Sequence, residues 1–191
     1  CSADSPKISS ASGDISISRV RSKDLDLSTA SGSVTLKNCS ADSPKISSAS
    51  GDISISGIQS KDLDLSNASG SILVEESKID ESGEISSASG DIELDFPQLP
   101  PQGFKASTAS SNLILKVPDF GENFSLTLIK REDKGHIKCP FEYTGKSTYR
   151  NSEGDGYLMD RYTVVRGKEG PEIELKTHSG TIRIETADKG K

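Results

Sequence analysis

The 191-residue chain is poor in several residue types that mark common classes of protein: it has no tryptophan, two histidines and three cysteines. No apolar run approaches the ~20 residues needed to span a bilayer, so we expect no transmembrane segment. The net charge is −6 and no basic cluster occurs, which argues against nucleic acid and anionic membrane surfaces as partners. No signal peptide is present. Because the chain opens partway through a repeat, we expect upstream rungs or an export signal to be missing.

The three cysteines do not indicate a redox compartment. Cys1 can be read as the lipid-modified first residue of a bacterial lipoprotein, but Cys39 occupies the same repeat position inside the chain. Val20 and Ile58 share that position, which favours a buried apolar slot. Two rungs would separate Cys1 from Cys39 by about 9.6 Å, too far for a disulfide. Cys139 has no assignable partner.

The phrase Ser-Ala-Ser-Gly-Asp-Ile and its variants organise the chain. Its glycine recurs with gaps of 19, 19, 19 and 20 residues, at Gly13, Gly32, Gly51, Gly70 and Gly90. A sixth copy has Ser111 in place of the glycine, and a seventh contains Gly180. A fixed period near 20 predicts stacked units that cannot bury an apolar face alone.

Each copy alternates apolar and polar residues around its glycine, which is typical of a strand with one buried face. The positions two and four after the glycine are apolar: Ile15, Val34, Ile53, Ile72, Ile92, Leu113 and Ile182, and Ile17, Leu36, Ile55, Val74, Leu94, Leu115 and Ile184. The position five before it predicts a second inward strand: Ile8, Leu27, Ile46, Leu65, Ile85 and Leu175.

These columns predict an all-β fold, a single-chain parallel β-solenoid with about 20 residues per rung. A right-handed β-helix is expected from the sterics of parallel crossovers. The glycine suits a corner that needs positive φ. We expect the alanine two residues before the glycine, for example Ala49, to fill the inside of that corner. Residues 1–18 and 39–56 are identical, so a two-rung unit is duplicated.

Three regions follow, forming one continuous domain. Regular rungs are predicted over residues 1–118, an irregular β cap or insertion over 119–171, and a final rung with the C-terminal tail over 172–191. Most of the aromatic residues fall in the middle region. Terminal solenoid units are usually atypical, because the last rung otherwise exposes backbone and core.

Sequence motifs typical of catalytic or metal-binding sites are nearly absent. Neither His136 nor His178 has metal-ligand spacing around it, so we predict no catalytic residue, no metal site and no cofactor. Two lines of carboxylates are candidates for a β-helix enzyme that cleaves polysaccharide: Asp14, Asp52 and Asp91, and Asp24, Asp26, Asp62 and Asp64. Acid–base catalysis needs two carboxyl groups in distinct environments. Repeated copies on an open wall favour solvated turn and ladder residues instead.

The repeated rungs, the irregular insertion and the closing Thr-His-Ser-Gly-Thr-Ile-Arg-Ile resemble the bacterial putative-adhesin β-strand-repeat family, a domain family of unknown function. The resemblance covers nearly the whole chain. It implies a protein that is exported or associated with the cell envelope, and it carries over no catalytic residue.

The sequence therefore favours a non-enzymatic, extracytoplasmic scaffold or adhesin-like surface module, with the polysaccharide enzyme as the alternative. Tyr and Arg are enriched at contact sites, so the candidate contact surface is the cap, with Tyr143, Tyr149, Arg150 and Tyr157. Expected partners are a cell-surface protein or a glycan. The open strand edges of the first rung also predict either end-to-end self-association or coverage by missing upstream sequence.

Overall fold

A computed structural model describes residues 2–151 and 156–186, with no side-chain description of Ser2 and Ala3. Over these residues the chain is all-β and contains no helix. Its strands form one sheet of 11 strands and one of 8, and neighbouring rungs pair in parallel. The predicted parallel β-solenoid with about 20 residues per rung is confirmed.

The 11-stranded sheet contains the strand that precedes each glycine corner, together with most of the cap. Its members are β1 (Ser2–Ala3), β2 (Lys7–Ser12), β4 (Arg21–Ser31), β6 (Ser40–Ser50), β8 (Gln59–Ser69), β10 (Lys78–Ser89), β12 (Gly103–Thr108), β14 (Phe124–Arg131), β16 (Gly145–Arg150), β17 (Leu158–Arg166) and β18 (Glu172–Thr177).

The 8-stranded sheet contains the short strand that follows each corner. Its members are β3 (Ile15–Ser18), β5 (Val34–Lys37), β7 (Ile53–Ser56), β9 (Ile72–Glu75), β11 (Ile92–Asp95), β13 (Leu113–Lys116), β15 (His136–Lys138) and β19 (Thr181–Glu185).

The predicted apolar columns pack between the two sheets. In the middle rungs they are fully enclosed: Leu27, Ile46, Ile53 and Ile55 are each 0% exposed. Register is exact along the column, with Val34 opposite Ile53 and Ile53 opposite Ile72. The core is therefore one continuous apolar file along the solenoid axis.

Four of the glycine corners, at Gly13, Gly32, Gly51 and Gly70, have the positive φ that the sequence predicts, whereas Gly90 and Gly180 lie outside that backbone region. Gly32 and Gly51 have φ of 153° and 138°. A Cβ on Gly51 would overlap the carbonyl group of Gly32 in the preceding rung. The column thus needs glycine for close stacking of successive corners as well as for the dihedral angle.

The prediction for the alanine column is wrong. Ala30, Ala49 and Ala68 point outward and are exposed. The inside of the corner is instead occupied by a buried polar column three residues before the glycine, whose members are Thr29, Ser48, Asn67, Ser87, Thr108 and Thr177. Strict alternation explains the difference, because an inward residue five before the glycine places the one three before it on the same face.

Four residues of this polar column, Thr29, Ser48, Asn67 and Thr177, donate hydrogen bonds to carbonyl oxygens at the corners, whereas the buried hydroxyls of Ser87 and Thr108 have no hydrogen-bond partner in the described part of the chain. The Ser48 hydroxyl donates to the carbonyl oxygen of Gly32 at 3.3 Å, and the Asn67 amide donates to those of Gly51 and Gly70 at 2.8 and 2.9 Å. These side chains supply hydrogen-bond donors to the carbonyl oxygens of Gly32, Gly51 and Gly70.

A second corner, six residues after the glycine, also uses the left-handed backbone region. Gly57 occupies it with φ of 68°, and Arg19, Asn38 and Glu76 adopt φ of 55°, 52° and 49°. Glycine and asparagine tolerate this region, whereas arginine and glutamate are strained in it. The sequence did not reveal this corner because its residues share no common chemistry.

Glu76→Gly should therefore stabilise the solenoid by about 1 kcal/mol, because it removes the cost of a left-handed glutamate. Urea unfolding of the wild type and the variant would measure the gain as a shift of the midpoint with an unchanged m value. Asn38→Gly is the matched control and should change stability by only a few tenths of a kcal/mol, since asparagine already tolerates this backbone. Equal gains in the two variants would contradict the strain argument.

The rungs do not stack in chain order at the C-terminal end. Strand β18 pairs in parallel with β12 on one side and β14 on the other, and β19 lies likewise between β13 and β15. The rung made last in the sequence is thus inserted between the preceding regular rung and the cap. Beyond β14 the sheet continues antiparallel through β17 to β16.

Candidate functional site

The first line of candidate carboxylates holds successive rungs together at the glycine corner. Each accepts a hydrogen bond from a backbone N–H one rung further along: Asp14 from Ser33 at 2.8 Å, Asp52 from Ser71 at 2.8 Å and Asp91 from Asn112 at 2.9 Å. An aspartate at this position therefore supplies an acceptor where the chain turns between the two sheets.

The second line has the same role on the outer face of the large sheet. Its four carboxylates each bind a neighbouring rung: Asp24 accepts from Ser5 at 2.9 Å, Asp62 accepts from Ser82 at 2.8 Å, Asp26 pairs with Lys7 at 2.9 Å and Asp64 pairs with Lys45 at 3.1 Å. All seven carboxylates that the sequence put forward are thus engaged with an adjacent rung.

Charges of opposite sign alternate over the first four rungs of the column six residues before the glycine. Lys7, Asp26, Lys45 and Asp64 stand opposite one another in consecutive rungs. These side chains are exposed, and exposed ion pairs contribute little to stability. The alternation therefore favours correct register more than it adds stability.

The four predicted contact residues lie around the antiparallel cap, but they do not converge on one patch. Tyr149 and Arg150 are neighbours on β16 and so point to opposite faces. Tyr143 is 42% exposed and its ring lies 4.9 Å from that of Tyr162, which is on the Arg150 side. Their role as a contact surface stays a prediction.

Cation–π contacts hold the cap tyrosines in place. The Arg161 guanidinium lies 5.2 Å from the Tyr149 ring, and that of Arg131 lies 4.8 Å from the Tyr157 ring. Arg150 donates to the Gly156 carbonyl at 3.0 Å. The tyrosines are therefore fixed platforms, which lose little conformational entropy on contact with a partner.

Three phenylalanines form a separate apolar cluster that seals the cap against the core. The rings of Phe120, Phe124 and Phe141 lie 5.0–5.1 Å apart. The Arg166 guanidinium covers this cluster, 5.0 Å from the Phe141 ring. These aromatic residues are packed against the core, whereas among the tyrosines Tyr143 is exposed and Tyr149 and Tyr157 are half-buried.

A buried carboxylate organises the inner face of the cap. Asp160 is 5% exposed and accepts a 2.7 Å hydrogen bond from Thr148. The ammonium groups of Lys130 and Lys146 lie 3.6 and 4.0 Å away. Burial by itself raises the pKa of Asp160, but the Thr148 hydrogen bond and the two lysines outweigh it and hold the pKa below its ordinary value.

This network should make cap stability depend on pH. Since the pKa of Asp160 is lowered on folding, the stabilisation is present above about pH 4 and is lost as the pH falls further. Asp160→Asn should cost about 1 kcal/mol at pH 7 and progressively less in acid. Chemical unfolding of both proteins from pH 7 to pH 2 measures the difference, and a difference that grows in acid would contradict the assignment.

The first rung exposes residues that its identical copy buries. Ile8 is 39% exposed, whereas Ile46, its equivalent, is 0% exposed beneath the preceding rung. Ile17 is half-buried and its equivalent Ile55 is buried. Among the described residues, β2 pairs only with β4 and β3 only with β5, so this edge presents an apolar column and unpaired strand groups, as the sequence predicted. Self-association through it stays a prediction.

Cys39 is buried and free, in agreement with the predicted apolar slot. Cys139 is also free, and burial raises the pKa of its thiol. Cys1 lies outside the described residues, so its predicted lack of a disulfide to Cys39 is not tested. Among the residues described, no group of His, Cys, Asp and Glu is arranged to hold a metal ion.

The fold and its columns define a parallel β-solenoid built from tandem rungs. Residues 2–140 match the family model described as Toastrack DUF4097, and the chain belongs to this family. The predicted resemblance to an adhesin-like domain family of unknown function is confirmed. A search of curated proteins found no match.

One solved structure is similar to this chain: a protein described as a putative cell adhesion protein from Clostridium sporogenes. The two share 13% sequence identity with a TM-score of 0.28, and the similarity covers 81% of this chain and 55% of the other. This chain therefore spans about half the length of that protein. In the described part of the chain, no helix has the length and apolar character needed to cross a membrane.

Proposed function

We propose that this chain is a non-enzymatic, extracytoplasmic β-solenoid scaffold or adhesin-like module whose cap contacts a cell-surface protein or a glycan. The observation that supports it most directly is the use of the repeated carboxylates. All seven candidate aspartates bind a neighbouring rung, for example Asp52 to Ser71 and Asp62 to Ser82. Because these aspartates connect neighbouring rungs, their repetition along the solenoid surface is explained without a catalytic role.

The cap supplies the contact surface in this proposal. Tyr149 stacks against Arg161 on one face of β16 and β17, and Arg150 extends from the other. Tyrosine and arginine combine apolar area with hydrogen-bonding groups, and both are enriched where binding energy concentrates. Fixed rings can stack on the apolar face of a sugar or on a protein side chain.

A glycan array probed with the whole chain tests the binding, and a turnover assay on the same acidic and neutral polysaccharides tests the enzyme alternative. Tyr149→Ala should weaken binding at least tenfold. Thr35→Ala, on the outer wall far from the cap, is the matched control and should bind like the wild type.

Binding without cleavage supports the proposal, and cleavage of any polysaccharide overturns it. If the chain neither binds nor cleaves any glycan, the result contradicts a glycan partner, and the scaffold role remains. Protease treatment of intact source cells, with a cytoplasmic enzyme as the protected control, tests the location. A chain that is protected from protease until the cells are lysed would contradict an exposed surface location.

A further inference from the structure

The inserted rung, residues 172–185, occupies a slot with a strand edge on each side. Strand β18 hydrogen-bonds to β12 and β14, and β19 to β13 and β15. In the described part of the chain, β14 has β17 as its one other partner and β15 has β19 alone. The inserted rung therefore carries the strand pairing between the regular stack and the cap.

The slot is closely matched to this segment. Ile173, Leu175 and Ile182 are at most 1% exposed. A Cβ on Gly180 would overlap the carbonyl of Ser111, so the corner fits closely against the rung before it. The segment leaves the cap through a five-residue linker, 167–171, between the end of β17 and the start of β18.

We propose that a second copy of this chain is a partner through this slot: two molecules exchange residues 172–185, each inserting its last rung between the stack and cap of the other. The exchange reproduces every rung contact described above and changes only the linker. The segment is joined to the cap by a short linker and pairs on both edges, as do elements that exchange between identical protomers. The proposal does not depend on the contact surface or the location proposed above.

The linker determines how readily the exchange occurs. It packs on Asn123: a Cβ on Gly167 would overlap the Asn123 side chain, and one on Gly170 would overlap the Asn123 carbonyl. Short hinge loops under constraint favour exchange, whereas longer loops let the segment fold back on its own chain. Inserting Gly-Ser-Gly-Ser after Lys168 should therefore reduce the dimer fraction at least fivefold.

A cysteine pair distinguishes exchanged from closed molecules. Lys105 and Glu174 stand directly opposite each other on β12 and β18. In full-length protein carrying Cys1→Ser and Cys139→Ser, the pair Lys105→Cys and Glu174→Cys should form a disulfide within the chain in monomers and between chains in exchanged dimers. Samples refolded over a hundredfold range of concentration would be separated by size, oxidised and run on a non-reducing denaturing gel.

We expect a dimer fraction that rises with concentration and migrates as a covalent dimer. The single-cysteine variants are controls and should give mainly monomer on the same gel. A dimer held by the open N-terminal rung would show only disulfides within each chain, and that result would overturn the proposal. A protein that stays monomeric at every concentration would overturn it too.

Discussion

Replacing Ile53 with aspartate should abolish folding of the solenoid. Ile53 is 0% exposed and lies between Val34 and Ile72 in the axial apolar file. An unpaired buried charge costs several kcal/mol, which is comparable to the whole stability of ~5–15 kcal/mol for a typical domain. Circular dichroism should lose its β signal, and proteolysis should degrade the variant without an intermediate.

Ser54→Asp is the matched control, because Ser54 is the next residue and lies on the outer face between Thr35 and Leu73. It should change stability by less than about 0.5 kcal/mol, as is usual for surface substitutions. If both variants lost a comparable amount of structure, the assignment of one buried and one outer face to β7 would be contradicted.

Gly51→Ala should strongly destabilise the solenoid. The new Cβ would overlap the carbonyl of Gly32, which belongs to the backbone and cannot rotate away. Forcing the rungs apart and placing alanine at φ of 138° should together cost roughly 3 kcal/mol or more. Thermal or urea unfolding of the purified variant would measure the loss.

Gly13→Ala is its control, in the same column with φ of 149°. There the nearest atom to a Cβ is the Ser10 hydroxyl oxygen at 3.5 Å, which is an ordinary contact. The remaining cost is that of placing alanine at this positive φ, about 1 kcal/mol of folding stability. A loss at Gly13 as large as that at Gly51 would show that the dihedral angle, and not stacking, requires glycine in this column.

The candidate site was only partly predictable from the sequence. The repeated aspartates could be assigned to turns and ladders because they recur with the rungs, but their partners required coordinates. The network around Asp160 gave no sequence signal, since Thr148, Lys130 and Asp160 come from three separate strands. The contact between Tyr149 and Arg161 depends likewise on the pairing of β16 with β17.

The period of the rungs, the buried columns and the glycine corners were determined by the sequence itself. Each is a local pattern repeated in every rung, so seven copies report the same alternation independently. The outward position of Ala49 follows from the same strand alternation, whereas the left-handed corner at Glu76 was decided by the path of the chain between the two sheets. Tertiary structure alone placed residues 172–185 between β12 and β14, because the apolar pattern is common to every rung and does not specify the order in which the rungs stack.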